Sequence, residues 1–538
     1  MLAATAPSPP QPALGPAPSA RRRPNEAPAL ALLAGAIDLA VGIHINLGLH
    51  YIESDAFSRV ANAFYVLYSR TPHLAAIGFV WNPLPSLLEL LLIPLKVLWP
   101  PLVTSGLASA VVSAAFGGLA VYLLLCILWD LGLPLAFRAA AGLLFAANPL
   151  ILLYGANGMT GIMLIATMLG TLRGVLRYLE RGSLRSLTAA ALWLAVGFVI
   201  RYEAAPFGAL LGLALLVVLR WKGTGWSRIE AALLIFAAPL VYVSGLWLYL
   251  NWLVMKNPLF FMDGTYSNAA ISGFGAYGYP LLSQLKGHPL HAAGYVAGFA
   301  LLFWPVIPAA LFAVIQSFGR RRDARMPVLL AATAAVPLLQ FALLYRGLSS
   351  GVDRYFMYYI PMGFLLIGLF AAKLPRARWR WAPLAALALV LALGDAGTGY
   401  ALAKSPILGH GDGPDVVSLY QGRVRSEYVA RDKVVAYLNA HPDLTVLADS
   451  AFAFPIILRV RNPRQLIISS DSAFNSILRN PRGRVDAFLV PAGPADQPNA
   501  VANAWPGISS GKISWLHAFA TFAGGGIYEL YRVGPNAP

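Results

Sequence analysis

The sequence predicts a polytopic α-helical membrane protein with about eleven transmembrane helices and a small C-terminal extracytoplasmic α/β domain. Of the 538 residues, 58% are hydrophobic and only 12% are charged, whereas soluble domains carry about 25% charged residues. The mean hydropathy is +0.64. Apolar runs such as 231–252 and 294–316 are long enough to cross a hydrocarbon core of roughly 30 Å as helices. These observations exclude a water-soluble enzyme, a fibrous protein and a disordered chain.

The basic residues predict the topology. The chain has 40 Lys+Arg and 23 Asp+Glu, a net charge of +17. Eighteen of the basic residues lie in five short segments between apolar runs, at 21–23, 173–185, 220–228, 320–325 and 373–380. The positive-inside rule places such clusters on the cytoplasmic side, so no nucleic-acid partner is needed to explain them or is predicted. The single cysteine, Cys126, allows neither a disulfide nor a thiolate metal site within one chain.

The membrane part divides in chain order. Residues 1–27, rich in Ala and Pro, predict a disordered cytoplasmic tail. A first span near 28–49 crosses the membrane outward, so the first outer loop, 50–82, is expected on the extracytoplasmic side. Residues 186–219 are flanked by basic clusters, so they must cross twice, with an outer turn at 201–203. Further spans are predicted near 231–252, 292–316, 326–345, 355–372 and 381–401, with a second outer loop at 255–290, and the transmembrane domain as a whole covers 28–401.

Between residues 82 and 172 the hydropathy pattern does not determine which apolar stretches cross the membrane. Four apolar stretches lie here, broken near residues 100, 134 and 148. Because Asp55 is predicted outside and Arg173 inside, only an odd number of these stretches can cross. One stretch must therefore be re-entrant or half-length, and the pattern fits more than one choice. The sequence shows no internal repeat of the kind found in inverted-repeat transporters.

The composition changes near Leu402. Residues 402–538 contain 13 basic and 10 acidic residues, far denser than the spans, which predicts a soluble extracytoplasmic domain. β-like runs alternate there with helical patterns at 431–439 and 471–478, which is typical of a small α/β fold. The β-like runs are 445–448, 465–469, 485–490 and 527–533.

Two carboxylates follow the first span directly. Glu53 and Asp55 precede an amphipathic segment, 57–68, that is predicted to lie along the outer membrane surface. A carboxylate in this position can serve as a general base if it faces a cleft. The alternative is an ordinary solvated loop carboxylate.

Five short motifs follow one another along the chain: Tyr51-Ile-Glu-Ser-Asp55-Ala-Phe57, Trp81-Asn-Pro-Leu-Pro85, Tyr154-Gly-Ala-Asn-Gly158, Arg201-Tyr-Glu203 and Asp353-Arg-Tyr-Phe-Met-Tyr-Tyr-Ile-Pro361. In this order they resemble the GT-C class of membrane glycosyltransferases. The resemblance covers the layout of roughly residues 28–400. The outer C-terminal domain is similar in plan to that of aminoarabinose transferases and mycobacterial arabinosyltransferases, and protein O-mannosyltransferases belong to the same type.

The resemblance implies a catalytic base in the first outer loop and a sugar donor carried on polyprenyl phosphate. Many relatives have two adjacent acidic residues in this loop, whereas Ser54 separates Glu53 from Asp55 here. In an extended segment residues i and i+2 face the same side, so both carboxylates are expected to enter one site. Asp55 is predicted as the base, with Glu53 as its support or as the alternative base.

Two further motifs carry candidate substrate-binding residues. Arg201 and Glu203 lie in the predicted outer turn, where they either attract a phosphate or form a structural ion pair. Arg354 and Tyr355 lie at the outer mouth of a span, and Arg346 precedes them by one short loop. An arginine fork can hold the two oxygens of a leaving phosphate, and the resemblance implies this role for Arg354. The alternative for both arginines is an interfacial anchor.

The second outer loop adds three candidates, Lys256, Asp263 and Tyr266, followed by a glycine-rich stretch at 273–278. Such a loop is able to close over substrates, although its aromatic residues can equally rest at the membrane interface. His44, His50 and His73 surround the first loop, but their spacing does not support a metal site. No metal and no other cofactor is therefore predicted to be required, and a divalent cation is left only as an option.

Together these features predict a glycosyltransferase that moves a sugar from a polyprenyl-phosphate donor to an acceptor hydroxyl with inversion. The acceptor is a cell-envelope glycan, glycolipid or protein. The protein is expected in the inner or plasma membrane of a bacterium, with its N-terminus cytoplasmic and its C-terminal domain outside. The alternatives are a transporter or flippase of a lipid-linked sugar, a polysaccharide polymerase or ligase, and a non-catalytic scaffold.

Overall fold

The fold is described from a computed structural model, which covers residues 25–264, 266–267, 270, 279–318, 323–375, 380–423, 429–492 and 499–537. Most of the predicted tail and the glycine-rich stretch 273–278 lie outside the described residues. The described α-helices before residue 405 are α1 Glu26–Ile43, α2 Ser54–Tyr68, α3 Leu84–Leu90, α4 Pro101–Thr104, α5 Leu107–Asp130, α6 Leu135–Ala147, α7 Pro149–Ala156, α8 Gly161–Arg181, α9 Leu184–Phe198, α10 Ala204–Trp221, α11 Trp226–Met255, α12 Phe260–Asp263, α13 Pro280–Ser283, α14 Pro289–Gly298, α15 Val306–Phe318, α16 Arg325–Arg346, α17 Tyr359–Lys373 and α18 Trp381–Lys404.

The predicted membrane architecture is confirmed. Eight described helices are long and apolar enough to cross a membrane, or ten if two bent helix pairs are each counted as one span. The shorter apolar helix α9, whose 15 residues reach about 23 Å, falls below the length used in this count. With α9 included, the described helices agree with the prediction of about eleven.

The structure also identifies the stretch between residues 82 and 172 that does not cross as one helix. Residues 84–104 form α3, a 3₁₀ turn at Ile93–Val97, and α4. Prolines at the starts of these three pieces lack the backbone N–H that a continuous helix needs. By contrast, α5 and α8 are long single helices, and α6 and α7 form a pair bent by 64°.

A buried polar cluster holds the two bent helix pairs to α18. Asn148, which precedes α7, donates from Nδ2 to Asp395 Oδ1 at 2.7 Å and accepts from the Leu150 N–H. Thr398 Oγ1 donates at 2.6 Å to Leu302 O, next to the 107° bend between α14 and α15. Backbone groups freed by a break in a membrane helix need such partners, because no water is available in the hydrocarbon core.

Close packing of α1 against α5 depends on glycine. A Cβ atom added at Gly118 would lie 2.6 Å from the backbone oxygen of Ala31. Small residues at such crossings let two membrane helices approach closely.

Gly118→Val is expected to destabilise the protein by about 2 kcal/mol, because overpacking at a backbone contact forces the helices apart. Gly245→Val on α11 is the matched control, since no atom lies within 4 Å of its added Cβ. The midpoint of thermal unfolding in detergent measures both. Equal midpoints for the two variants would show that the contact does not limit the packing.

The C-terminal region forms a five-stranded sheet flanked by helices, which confirms the predicted α/β class. The strands are β1 Val446–Ala448, β2 Leu466–Ile468, β3 Ala487–Ala492, β4 Leu516–Ala523 and β5 Ile527–Val533. Their order in the sheet is β2-β1-β3-β5-β4, with β1 parallel to β2 and β3 and with β5 antiparallel to β3 and β4. The four predicted strands are present, and β4 was missed. The helices are α19 Gly413–Tyr420, α20 Val429–Ala440, α21 Ser450–Ile457, α22 Phe474–Arg479 and α23 Ala500–Ala504.

The amphipathic helix α2 joins the two regions. Its apolar side chains Phe57, Val60 and Phe64 are buried in one cluster with residues of the C-terminal domain. The Phe57 and Phe454 rings meet edge to face, with centroids 5.7 Å apart. The apolar face of α2 therefore packs against protein, and the prediction that this face rests on the membrane surface is wrong.

Candidate active site

A cavity of about 430 Å³ lies where the first outer loop, the turn between α9 and α10 and the mouth of α17 meet. Five of the ten predicted site residues line it, and the other five do not. Those that line it are Asp55, Arg201, Glu203, Arg354 and Tyr355. Three separate parts of the sequence therefore contribute to one site.

Asp55 lies in the first turn of α2, where its carboxylate faces a cation. The Arg354 guanidinium Nη2 lies 3.5 Å from Asp55 Oδ2, and the two side chains are 24% and 31% exposed. Both groups can therefore be reached by a ligand in the cavity. The Tyr355 ring lies beside them, with its centroid 5.7 Å from the Arg354 guanidinium.

Glu53 does not share this position. It is extended, with φ −69° and ψ 124°, but the chain turns helical from Ser54 onward, so the two carboxylates do not alternate as in a strand. Glu53 is absent from the cavity lining, and its Oε2 accepts a hydrogen bond from Tyr51 at 3.0 Å. The expectation that both carboxylates enter one site is wrong because it assumed an extended segment.

The surroundings of Glu53 favour its protonated form. The pKa of Glu53 is raised to about 7, mainly by burial and next by the Asp55 charge, while the Arg354 charge opposes the shift. The folded state therefore binds this proton more tightly than the unfolded chain, whose glutamate pKa is 4.5. The contribution of Glu53 to stability is complete below pH 4.5 and is lost as the pH rises through 7.

Glu53→Gln is accordingly expected to gain stability relative to the wild type as the pH rises from 5 to 8, by up to about 3 kcal/mol. Glutamine has the shape of the protonated acid but cannot ionise. Thermal unfolding midpoints of both proteins, measured across this pH range, test the prediction. A difference that does not change with pH would mean that Glu53 is already ionised at pH 5.

Arg201 and Glu203 form the ion pair that the sequence left as an alternative, and they also line the cavity. Arg201 Nε donates to Glu203 Oε1 at 3.0 Å, and Arg201 Nη1 donates to Thr160 Oγ1 at 3.2 Å. The turn between α9 and α10 thus presents a guanidinium that is fixed on two sides. A fixed cation needs little reorganisation to receive an anion.

Arg59 is a site residue that sequence reasoning missed. It follows Asp55 by one helical turn and lines the same cavity, although it is only 3% exposed. Its Nη1 donates to the Asp55 backbone oxygen at 3.1 Å, and its guanidinium lies 4.6 Å from the Trp81 ring centroid. The i, i+4 spacing of an arginine after the predicted base is a signal that was available.

A second acidic residue lies near Arg59. Glu89 on α3 is 1% exposed, and its Oε2 has no hydrogen-bond partner in the described structure. Burial raises the pKa of Glu89 well above its usual value, while the Arg59 charge lowers it.

Three predicted residues lie on exposed surface away from the cavity. Lys256 ends α11 and donates from Nζ to the Leu253 oxygen at 3.0 Å. Asp263 accepts from Asn257 Nδ2 at 2.8 Å. Arg346 is exposed at the end of α16. None of these three side chains lines the cavity.

Tyr266 also lies away from the cavity, but two other residues of the same loop line the cavity. The Tyr266 hydroxyl donates to Asp449 in the C-terminal domain. Phe261 and Met262, earlier in the same loop, line the cavity, and the Phe261 ring stacks on Tyr202 with centroids 4.7 Å apart. The loop therefore contributes apolar rather than charged groups to the site.

The described residues place no group of three or more His, Cys, Asp or Glu side chains as metal ligands. Of the three histidines near the first loop, His73 bonds through Nδ1 to the Thr71 oxygen at 2.6 Å. That catalysis needs no metal stays a prediction from the sequence.

No family model and no curated protein sequence matches the chain. Among solved structures it is similar to ArnT from Cupriavidus metallidurans bound to undecaprenyl phosphate, with a TM-score of 0.54 and 14% identity over 95% of this chain and 99% of that one. The oligosaccharyltransferase AglB from Archaeoglobus fulgidus, in complex with an inhibitory peptide and a dolichol-phosphate, gives a TM-score of only 0.42 at 11% identity over 86% and 69% of the chains, too low to support an argument. The likeness to ArnT spans nearly the whole of both chains, and this chain is a multi-pass membrane protein with the GT-C fold.

Proposed function

We propose that the protein is a glycosyltransferase that moves a sugar from a polyprenyl-phosphate donor to an acceptor hydroxyl at the outer face of the membrane. The observation that carries the proposal is the pairing of Asp55 with Arg354, 3.5 Å apart on the wall of one cavity. Such a site can take a proton from an acceptor and hold a departing phosphate. The GT-C fold and the undecaprenyl phosphate bound by ArnT support the same reading.

The chemistry is a single displacement. Asp55 accepts the proton of the acceptor hydroxyl as its oxygen attacks the anomeric carbon. The bond from that carbon to the phosphate oxygen breaks, and the electron pair leaves with the phosphate. Arg354, Arg201 and Arg59 stabilise the charge that grows on this phosphate, which needs no proton to depart. One displacement from the opposite face inverts the anomeric centre.

The remaining walls suit a lipid. Leu339 and Leu343 of α16 and Pro206 of α10 line the cavity on helices that are long and apolar enough to span the membrane. A prenyl chain lying among these side chains places its phosphate at the arginines. The acceptor, a cell-envelope glycan, glycolipid or protein, then approaches from the outer side, where the C-terminal domain lies. No cofactor is proposed to be required.

Transport of a lipid-linked sugar is a weaker candidate. A transporter is expected to place its charged binding groups near the bilayer midplane. Here the charged groups of the cavity belong to the ends of α2, α10 and α17. A polysaccharide polymerase or ligase would use the same arginines to bind the phosphate of a donor that carries a longer glycan. A transfer assay that compares single-sugar donors with longer lipid-linked glycans distinguishes this activity from transfer of one sugar.

Binding of the lipid tests the proposal before the sugar is known. Protein in nanodiscs is titrated with undecaprenyl phosphate and, separately, with undecaprenol. The phosphate is expected to bind at least about a hundredfold more tightly, because charged hydrogen bonds to arginines contribute most of the difference. Equal affinity for the two lipids would contradict a phosphate site.

A further inference from the structure

Two buried aspartates follow the parallel strands of the C-terminal domain. Asp449 comes directly after β1, and Asp471 comes three residues after the end of β2. β2 and β3 lie on opposite sides of β1, so successive connections diverge there. In α/β folds, ligands usually bind at the carboxyl ends of the strands beside such a point. This edge of the sheet is therefore where the domain is expected to make a specific contact.

Both outer loops of the membrane domain meet this edge. In the first outer loop, the N–H and the hydroxyl of Thr71 donate to Asp471 Oδ1 at 2.9 and 2.8 Å. In the second outer loop, the Tyr266 hydroxyl donates to Asp449 Oδ2. The C-terminal domain thus uses the edge of its sheet to hold two loops that surround the cavity.

The Asp449 carboxylate is fixed by its own domain. Its Oδ1 accepts from the Ala451 N–H at 3.0 Å and from the Ser469 hydroxyl at 3.2 Å. Its Oδ2 accepts from the Ala500 N–H at 2.7 Å, in addition to the Tyr266 hydroxyl. Hydrogen bonds to a carboxylate are stronger than those between neutral groups. Asp449 therefore gives the second outer loop a firm point of attachment.

A short and ordered piece of chain connects Tyr266 to α12. The Gly264 N–H donates to the Phe260 oxygen at 2.8 Å, and the Ser267 N–H donates to the Gly264 oxygen at 2.9 Å. Two successive turns therefore lead from α12 to Tyr266, so the position of the tyrosine is transmitted to α12.

The helix α12 forms one wall of the cavity. Phe261 and Met262 line the cavity, and the Phe261 ring stacks on Tyr202. Tyr202 is itself held, because its hydroxyl accepts from Trp247 Nε1 and donates to the Val80 oxygen, both at 3.1 Å. None of the four residues of α12 is buried. Because packing alone holds α12 weakly, its attachment through Tyr266 is needed to keep it in place.

We infer that Asp449 is a positioning residue, which holds the Phe261–Met262 wall of the cavity in place through the hydroxyl of Tyr266. The positioning role stands on the contacts alone, whereas its effect on lipid binding rests on the proposed function. Tyr266 then acts indirectly, and the C-terminal domain takes part in binding the lipid-linked donor.

A nitroxide label at position 262 tests the positioning role. Met262→Cys can be labelled selectively, because Met262 is 56% exposed while the single native cysteine, Cys126, is buried. Adding Tyr266→Phe, which removes only the hydroxyl, is expected to shorten the rotational correlation time of the label about threefold in nanodiscs. A label that stays equally restricted in Tyr266→Phe would overturn the inference.

Two further variants in the labelled protein identify the contact. Tyr531→Phe is the matched control, since the Tyr531 hydroxyl also donates to a carboxylate, Glu529, in the same domain. It is expected to leave the label unchanged. Asp449→Asn is expected to mobilise the label as Tyr266→Phe does, with little further effect when the two are combined. Full additivity of the two changes would contradict the inference, because the hydroxyl and the carboxylate would then act separately.

Lipid binding tests the consequence for the site. Undecaprenyl phosphate is titrated into the unlabelled wild type, Tyr266→Phe and Tyr531→Phe in nanodiscs. Tyr266→Phe is expected to weaken binding about fivefold, and Tyr531→Phe to bind like the wild type. Equal binding by all three would contradict the role in donor binding. If the folded wild type does not bind the lipid, the proposed function fails, while the label at position 262 still decides the positioning role.

Discussion

Replacing Asp55 with Asn is expected to lower the rate of sugar transfer about a thousandfold. Asparagine keeps the size of the side chain and its place in the first turn of α2. It cannot accept the proton of the acceptor hydroxyl, so the nucleophile is no longer activated. The measurement is the initial rate with a radiolabelled polyprenyl-phosphate sugar, under saturating donor.

Donor binding separates catalysis from folding in this variant. Asp55→Asn is expected to bind undecaprenyl phosphate at least as well as the wild type, because it removes a negative charge beside Arg354. Glu53→Gln is the matched comparison, since Glu53 does not line the cavity, and it is expected to retain most of the activity. Activity lost in Glu53→Gln but kept in Asp55→Asn would move the base by two residues.

Arg354→Gln is expected to have the second largest effect, a loss of about a hundredfold in kcat/KM together with weaker lipid binding. Its guanidinium is the cation that faces Asp55 across the cavity wall. Glutamine can still donate a hydrogen bond, but it carries no charge to stabilise the departing phosphate. The measurement is the full dependence of rate on donor concentration.

Arg346→Gln is the control for net charge. It removes the same charge from the same outer region, at an exposed helix end that does not line the cavity. It is expected to transfer sugar at the rate of the wild type. Similar losses in both variants would mean that the arginines act through the general surface charge rather than through contact with phosphate.

The membrane architecture could be predicted because hydrophobic length is a local property. The paired helices around the turn at 201–203 appear as α9 and α10, and the long span near 231–252 appears as α11. The short helix α9 shows the limit of hydropathy, which does not predict how long each helix is. Likewise, the proline-broken stretch 84–104 has the composition of a span but not its continuity.

The site could be predicted where a charged residue lies at the end of an apolar helix. Asp55, Arg201 and Arg354 are of this kind, and the structure places all three on one cavity. The same rule failed for Arg346 and Lys256, since a helix end can also face open solvent. Which ends converge is decided by packing between helices far apart in sequence.

The residues that were missed depend on tertiary contacts. Arg59 is buried beside the Trp81 ring, which belongs to a different segment of the chain. β4 was missed because it is largely exposed, so its sequence lacks a clear alternation of apolar and polar residues. In each case the feature depends on the part of the chain that the segment packs against, and not on the sequence of the segment alone.

The proposed sugar transfer is tested with the purified protein in lipid. The protein is incubated with an acceptor membrane extract and a panel of radiolabelled polyprenyl-phosphate sugars, and free polyprenyl phosphate and labelled product are both measured. We expect at least one donor to be consumed, with equal amounts of both products, and Asp55→Asn to lower this turnover about a thousandfold. Two results would contradict the proposed function. In one, the folded wild-type protein consumes no donor of the panel; in the other, Asp55→Asn consumes donor as fast as the wild type.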